Sequence, residues 1–137
     1  MISILVVSHG NFAQGIVETG KMFVGEQENI DFLGLNEGDN IEEFSNQIQN
    51  KVSELNAEEG VIIFSDLYGA SPFKATIDLI SNKSEKDLIK SISGVNLPMY
   101  VEAVLNREFS NIEDLYSQCM EAGKESIKEL SEELNNM

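Results

Sequence analysis

Residues 2–7 read Ile2-Ser3-Ile4-Leu5-Val6-Val7, and the chain continues Ser8-His9-Gly10-Asn11. A short β-branched run with apolar residues on both faces fits a strand covered by helices on both sides. Three further runs have this character: Ile30–Leu35 (IDFLGL), Val61–Ser65 (VIIFS) and Leu88–Ile92 (LIKSI). Helical patterns separate them. Phe12, Ile16, Thr19 and Phe23 share one face, as do Ile41, Phe44, Ile48, Val52 and Leu55, and then Phe73, Ile77 and Ile80. The order is β-α-β-α-β-α-β. It predicts a single α/β domain with an open, mostly parallel sheet, right-handed crossovers and helices on both faces. In the common strand order 2-1-3-4, ligand chemistry belongs at the carboxyl ends of the strands.

After the fourth strand, Leu97–Leu105 predicts a helix with Pro98 in its first turn. Ile112, Leu115, Cys119 and Ala122 mark another helical face, and Gly123 suits a left-handed position ending that helix. The remainder, KESIKELSEELNNM, is too charged for a core element and reads as a surface helix, a short edge strand or a frayed tail.

A chain of 137 residues, 42% hydrophobic, fills one core without disulfide or metal staples. Its single cysteine, Cys119, rules out an intramolecular disulfide and suits a reducing compartment, so the cytoplasm is the expected location. The first ten residues lack the basic region and cleavage pattern of a secretory signal, and no apolar run is long enough to span a membrane. Nine Lys and Arg against 24 Asp and Glu give a formal charge of −15, which repels nucleic acid and anionic lipid. A protein partner with basic patches remains well matched.

Two strand ends carry unusual residues. The first holds His9, the one histidine of the chain; the third reads Ser65-Asp66-Leu67-Tyr68-Gly69-Ala70-Ser71-Pro72-Phe73. Here a carboxylate ends an apolar strand, and a glycine-containing turn leads to Ser71 as N-cap, with Pro72 at the first helical position. Taken singly, these residues read as a structural histidine, a turn aspartate and a helix start. With strands one and three adjacent, all three converge on one edge of the sheet. Asp66 can then hold one imidazole N–H of His9 and leave the other nitrogen free to attack phosphorus. Gly10 lets the chain turn beside the phosphoryl group, while the Ser71 hydroxyl and nearby backbone N–H groups supply donors.

Other chemistries fit the same residues poorly. A phospho-aspartate receiver needs an acidic pair after strand one, where this chain has Ser8-His9, and a flavodoxin needs a hydroxyl-rich loop where it has Gly10-Asn11-Phe12-Ala13-Gln14. A serine hydrolase elbow fails at Phe73, and Pro72 offers no N–H to an oxyanion. One histidine and one cysteine supply a zinc site poorly, and Cys119 lies on an apolar stripe as a packing residue.

Four stretches together resemble the IIA proteins of the mannose-type sugar phosphotransferase systems (PTS). They are Ser8-His9-Gly10-x-Phe12-Ala13-x-Gly15, Val24–Ile30 (VGEQENI), Asp66–Phe73 (DLYGASPF) and Gly94–Met99 (GVNLPM). The similarity runs from residue 1 to about residue 130, which implies a IIA domain over 1–130 and a tail at 131–137. It implies a carrier that takes a phosphoryl group from phospho-HPr on His9 and passes it to the IIB subunit, which works with IIC and IID membrane components. His9 and Asp66 are then the catalytic pair, Gly10, Gly69, Ala70 and Ser71 surround the phosphoryl group, and no cofactor or metal is implied. Two departures stand out: Ala70 where the family often has a second glycine, and Lys74 where it has asparagine. Some members of this family continue into a fused IIB domain; here the IIB partner is expected to be a separate chain. The resemblance also implies a homodimer, with a short antiparallel edge strand at Ser126–Leu130 (SIKEL) exchanged between subunits. A regulatory phosphohistidine domain and a small-molecule binding module are the competing expectations.

Overall fold

The computed structural model describes residues 1–55, 57–81 and 88–137. Among these residues four strands, β1 (Ser3–His9), β2 (Ile30–Leu35), β3 (Val61–Ser65) and β4 (Ile89–Ser93), alternate with helices α1 (Phe12–Val24), α2 (Ile41–Glu54), α3 (Ser71–Lys74) and α4 (Ile77–Ser81). Helices α5 (Leu97–Asn106), α6 (Ile112–Glu125) and α7 (Leu130–Asn135) follow. The strand pairs are parallel, as the alternation predicts, and the order is β2-β1-β3-β4, the common order expected.

The pleat divides the apolar residues between two cores. Ile2, Ile4, Val6, Ile62 and Phe64 face α1, α5 and α6, whereas Leu5, Val7, Val61 and Ile63 face α2 and α4. Each fully buried aliphatic side chain contributes about 1.5–3 kcal/mol, so the central strands anchor the domain. Burial on β1 is continuous from Ser3 to Ser8, and His9 is its first exposed residue.

Helix faces depart from the predicted pattern where backbones come close. The inward set on α1 is Ala13, Ile16, Val17 and Gly20, leaving Phe12 49% and Phe23 63% exposed. A Cβ at Gly20 would stand 2.5 Å from Cε2 of Tyr100, so α5 approaches α1 over a residue without a side chain. On α2 the expected Phe44, Ile48 and Val52 are buried. The helix expected through Phe73, Ile77 and Ile80 is two short helices. They separate around Thr76, whose Oγ1 and backbone N–H both donate to the Phe73 carbonyl, and Ile77 turns outward while Ala75 and Leu79 turn in.

Two expectations for the last third are corrected. Gly123 does not end its helix: α6 runs to Glu125, and Gly123 lies buried where a Cβ would meet the Met99 side chain at 2.5 Å. Its carbonyl accepts a hydrogen bond from Nδ2 of Asn96, whose Oδ1 caps α5 through the Met99 N–H. The antiparallel edge strand expected at Ser126–Leu130 is also not formed. Residues 126–129 are irregular, and the Glu129 side chain accepts the Glu132 N–H at 2.9 Å, starting α7 from Leu130. This local cap competes with extended structure.

Candidate functional site

Strand register builds the site. Val7 of β1 lies beside Ser65 of β3 and His9 beside Leu35 of β2, so His9 and Asp66 emerge together at the carboxyl edge of the sheet. Nδ1 of His9 stands 2.7 Å from Oδ2 of Asp66, and the His9 backbone N–H donates to the same oxygen at 2.9 Å. The Leu67 N–H donates to Oδ1 at 3.0 Å. Burial alone raises the Asp66 pKa, but the hydrogen bonds from the His9 backbone and ring, attraction to the ring, and the Leu67 N–H together outweigh it. The carboxyl is held below the ordinary aspartate value. An ionised Asp66 accepts from Nδ1–H, which leaves the lone pair of the ring on Nε2. The His9 side chain is 47% exposed and that of Asp66 13%, so the ring meets solvent while its partner stays beneath.

The turn after β1 is held from two sides. Gly10 has φ +52° and donates its N–H to the Leu35 carbonyl at 2.7 Å, which lays the turn over the end of β2. There Gly34 is essential: a Cβ on it would collide with the Gly10 carbonyl oxygen. The Ser8 hydroxyl accepts the Ala13 N–H at 2.7 Å, doing for α1 what the Asn11 side chain does not.

The opposite wall comes from the loop after β3. Gly69 has φ +76°, Ala70 occupies the N-cap in an extended conformation, and Ser71 is the first residue of α3, one position further in than predicted. Ser71 joins His9, Gly10, Leu35 and the loop Asn36–Asp39 around an open cleft of about 570 Å³. Gly69 and Ala70 shape the turn leading to Ser71 and are not among the residues lining this cleft. Lys74 is exposed on α3 and also lies outside the lining. Among the described residues, no three His, Cys, Asp or Glu side chains come together as a metal site.

The family model of the PTS system fructose IIA component matches residues 3–120. The chain belongs to this IIA family. It is 31% identical over 130 residues to the PTS system mannose-specific EIIAB component of Escherichia coli (strain K12), covering 94% of this chain and 39% of that protein. The chain therefore spans about two fifths of the length of that relative. It is 26% identical over 137 residues to the PTS system fructose-specific EIIA component of Bacillus subtilis (strain 168), covering 100% of this chain and 92% of that one. Among solved structures, phosphotransferase system component EIIA from Streptococcus agalactiae superposes with a TM-score of 0.87 at 31% identity, over 96% of this chain and 98% of the other. The PTS IIA protein associated with the fucose utilization operon of Streptococcus pneumoniae gives 0.84 at 34% identity, covering 97% and 96%.

Within this IIA domain, the sequence reading missed the β2 side of the cleft. Gly34 carries a readable signal, since a glycine inside a strand marks a close backbone approach. Asn36-Glu37-Gly38-Asp39 reads as a turn, and Asp39 Oδ2 accepts the Asn36 N–H at 2.8 Å. Its closeness to His9 depends on strand order and on the turn at Gly10.

Proposed function

We propose that this IIA component relays a phosphoryl group through Nε2 of His9, from phospho-HPr to a IIB subunit serving sugar uptake. The carrying observation is the 2.7 Å contact between Nδ1 and Asp66, which leaves the nucleophilic lone pair on the exposed side of the ring. In the first transfer a bond forms between Nε2 and phosphorus as the bond from phosphorus to the donor histidine breaks. The His9 ring becomes cationic, and the anionic Asp66 stabilises it. The Ser71 hydroxyl on the facing wall donates to a phosphoryl oxygen. In the second transfer the same steps run toward IIB, and His9 returns neutral.

The rest of the surface supports protein partners. Phe12, Leu67 and Tyr68 are 49%, 60% and 82% exposed and belong to the segments that follow β1 and β3. Such apolar exposure suits docking onto another protein. Among the described residues no helix is long and apolar enough to cross a membrane. The relay would operate in the cytoplasm and reach IIC and IID only through IIB. The same reading includes a homodimer.

Replacing the nucleophile tests the relay. His9→Ala is expected to keep the circular dichroism of the wild type and to take no acid-labile label from phospho-HPr. Residual labelling would refute the assignment, because the sequence has no other histidine. Stable labelling of wild type without onward transfer to IIB would favour a regulatory acceptor instead.

A further inference from the structure

A second cavity, of about 130 Å³, opens beside the loop joining α1 to β2. It adjoins Ile30 and Phe32 of β2, whereas His9 pairs with Leu35 at the end of that strand, three residues or about 10 Å beyond Phe32. Val17, Val24, Ile30 and Phe32 give it apolar walls. Tyr100, which is 2% exposed, also lines it, and its hydroxyl has no hydrogen-bond partner among the described residues. The ring is fixed, edge-on to Phe64 with centroids 6.5 Å apart and seated in the space left by Gly20.

The other polar side chains at this cavity have partners. Gln27 accepts from Nη2 of Arg107 at 3.1 Å through Oε1 and donates through Nε2 to the Val24 carbonyl at 2.8 Å. Lys21 and Glu26 pair at 3.5 Å, so their charges offset each other. Arg107, 1% exposed, also donates to the carbonyls of Glu28, Asn29 and Ile2, which fixes the loop wall before any ligand arrives. Among the side chains lining the cavity, the polar group left without a partner is therefore a hydroxyl donor. Burial pushes its pKa up to about 12, against a smaller opposing effect of Arg107, so it stays protonated.

We propose that this cavity binds a small neutral carbonyl or hydroxyl compound, whose oxygen accepts a hydrogen bond from Tyr100. An apolar cavity of similar volume accommodates benzene, which limits the ligand to about six heavy atoms. A charged ligand would lose its hydration against walls that offer no uncompensated partner. The site is separate from the His9 cleft.

Cyclopentanone is the probe, titrated into the full-length protein and followed by amide chemical shifts. Saturable shifts are expected in residues 17–32 and around Tyr100. Tyr100→Phe, which removes only the hydroxyl, is expected to weaken binding about tenfold at unchanged thermal stability. Cyclopentane, which has no acceptor, should bind wild type and Tyr100→Phe equally, and His9→Ala should bind cyclopentanone as wild type does. Absence of saturable shifts at these residues up to about 100 mM would overturn the proposal, as a cavity holding only water predicts. Equal affinity of wild type and Tyr100→Phe for cyclopentanone would overturn it as well.

Discussion

Asp66 places one carboxylate oxygen within hydrogen-bond distance of both the backbone and the ring of His9, at 2.9 and 2.7 Å. Asp66→Asn keeps the shape and removes the charge. Its amide can donate to Nδ1, which moves the ring proton to Nε2 and removes the attacking lone pair, though its oxygen can still accept in a fraction of molecules. A charge-assisted hydrogen bond contributes about 1.5–3 kcal/mol, so transfer from phospho-HPr should slow by about tenfold to about a hundredfold without being abolished. Rapid-quench measurement would show this, and an unchanged rate would reduce Asp66 to a turn residue. Acid titration supplies a second readout. Because the folded-state pKa is lowered, the stabilisation from Asp66 is fully present above the unfolded value and is lost as pH falls through the folded one. Urea unfolding should therefore separate wild type from Asp66→Asn at neutral pH, and the gap should close as pH drops below the ordinary value of 3.8.

At the scale of strands and helices, two glycines separate freedom from necessity. Gly15 is exposed on α1 with open space where a Cβ would stand, so Gly15→Ala should stabilise the protein by about 0.5–1 kcal/mol through helix propensity. Gly34→Ala should destabilise it by about 1–3 kcal/mol and slow phosphorylation of His9, because the methyl must displace the Gly10 carbonyl. Denaturant melts of both variants check the opposite signs. If Gly34→Ala were neutral in both measurements, the Gly10 turn would not depend on β2. The same contrast explains what the sequence revealed. Buried strands announce themselves through β-branched runs, and their alternation with helices predicts a parallel sheet; His9 and Asp66 meet at one edge because β1 and β3 are neighbours, as in the common order expected. Close helix contacts are hidden because the residues there are small: Ala13, Gly20 and Gly123 face inward, and hydrophobic periodicity gives them no weight. The β2 wall of the cleft was hidden for a related reason, since Gly34 and the Asn36–Asp39 loop become neighbours of His9 only through tertiary pairing.

For the whole molecule, a formal charge of −15 opposes self-association, so the proposed homodimer needs apolar contacts to offset repulsion. The C-terminal segment supplies candidates: Ile127, Leu130, Leu134 and Met137 are 80%, 70%, 60% and 96% exposed within eleven residues. Burying a side chain of this size contributes about 1.5–3 kcal/mol, and a two-fold dimer uses each residue twice. Gly123 is the wrong place to cut, because α6 continues to Glu125 and Gly123 packs against Met99. Removal of residues 127–137 starts beyond the end of α6 at Glu125 and is expected to leave that helix and the sheet in place. Light scattering at micromolar concentration is expected to give twice the chain mass for the intact protein and the single mass for the shortened one. Far-ultraviolet circular dichroism should change only by the loss of α7, and His9 should still accept phosphate, since the cleft contains no residue beyond Ser71. A monomeric intact protein would end the dimer proposal, and a dimer that survives truncation would move the interface elsewhere on the surface.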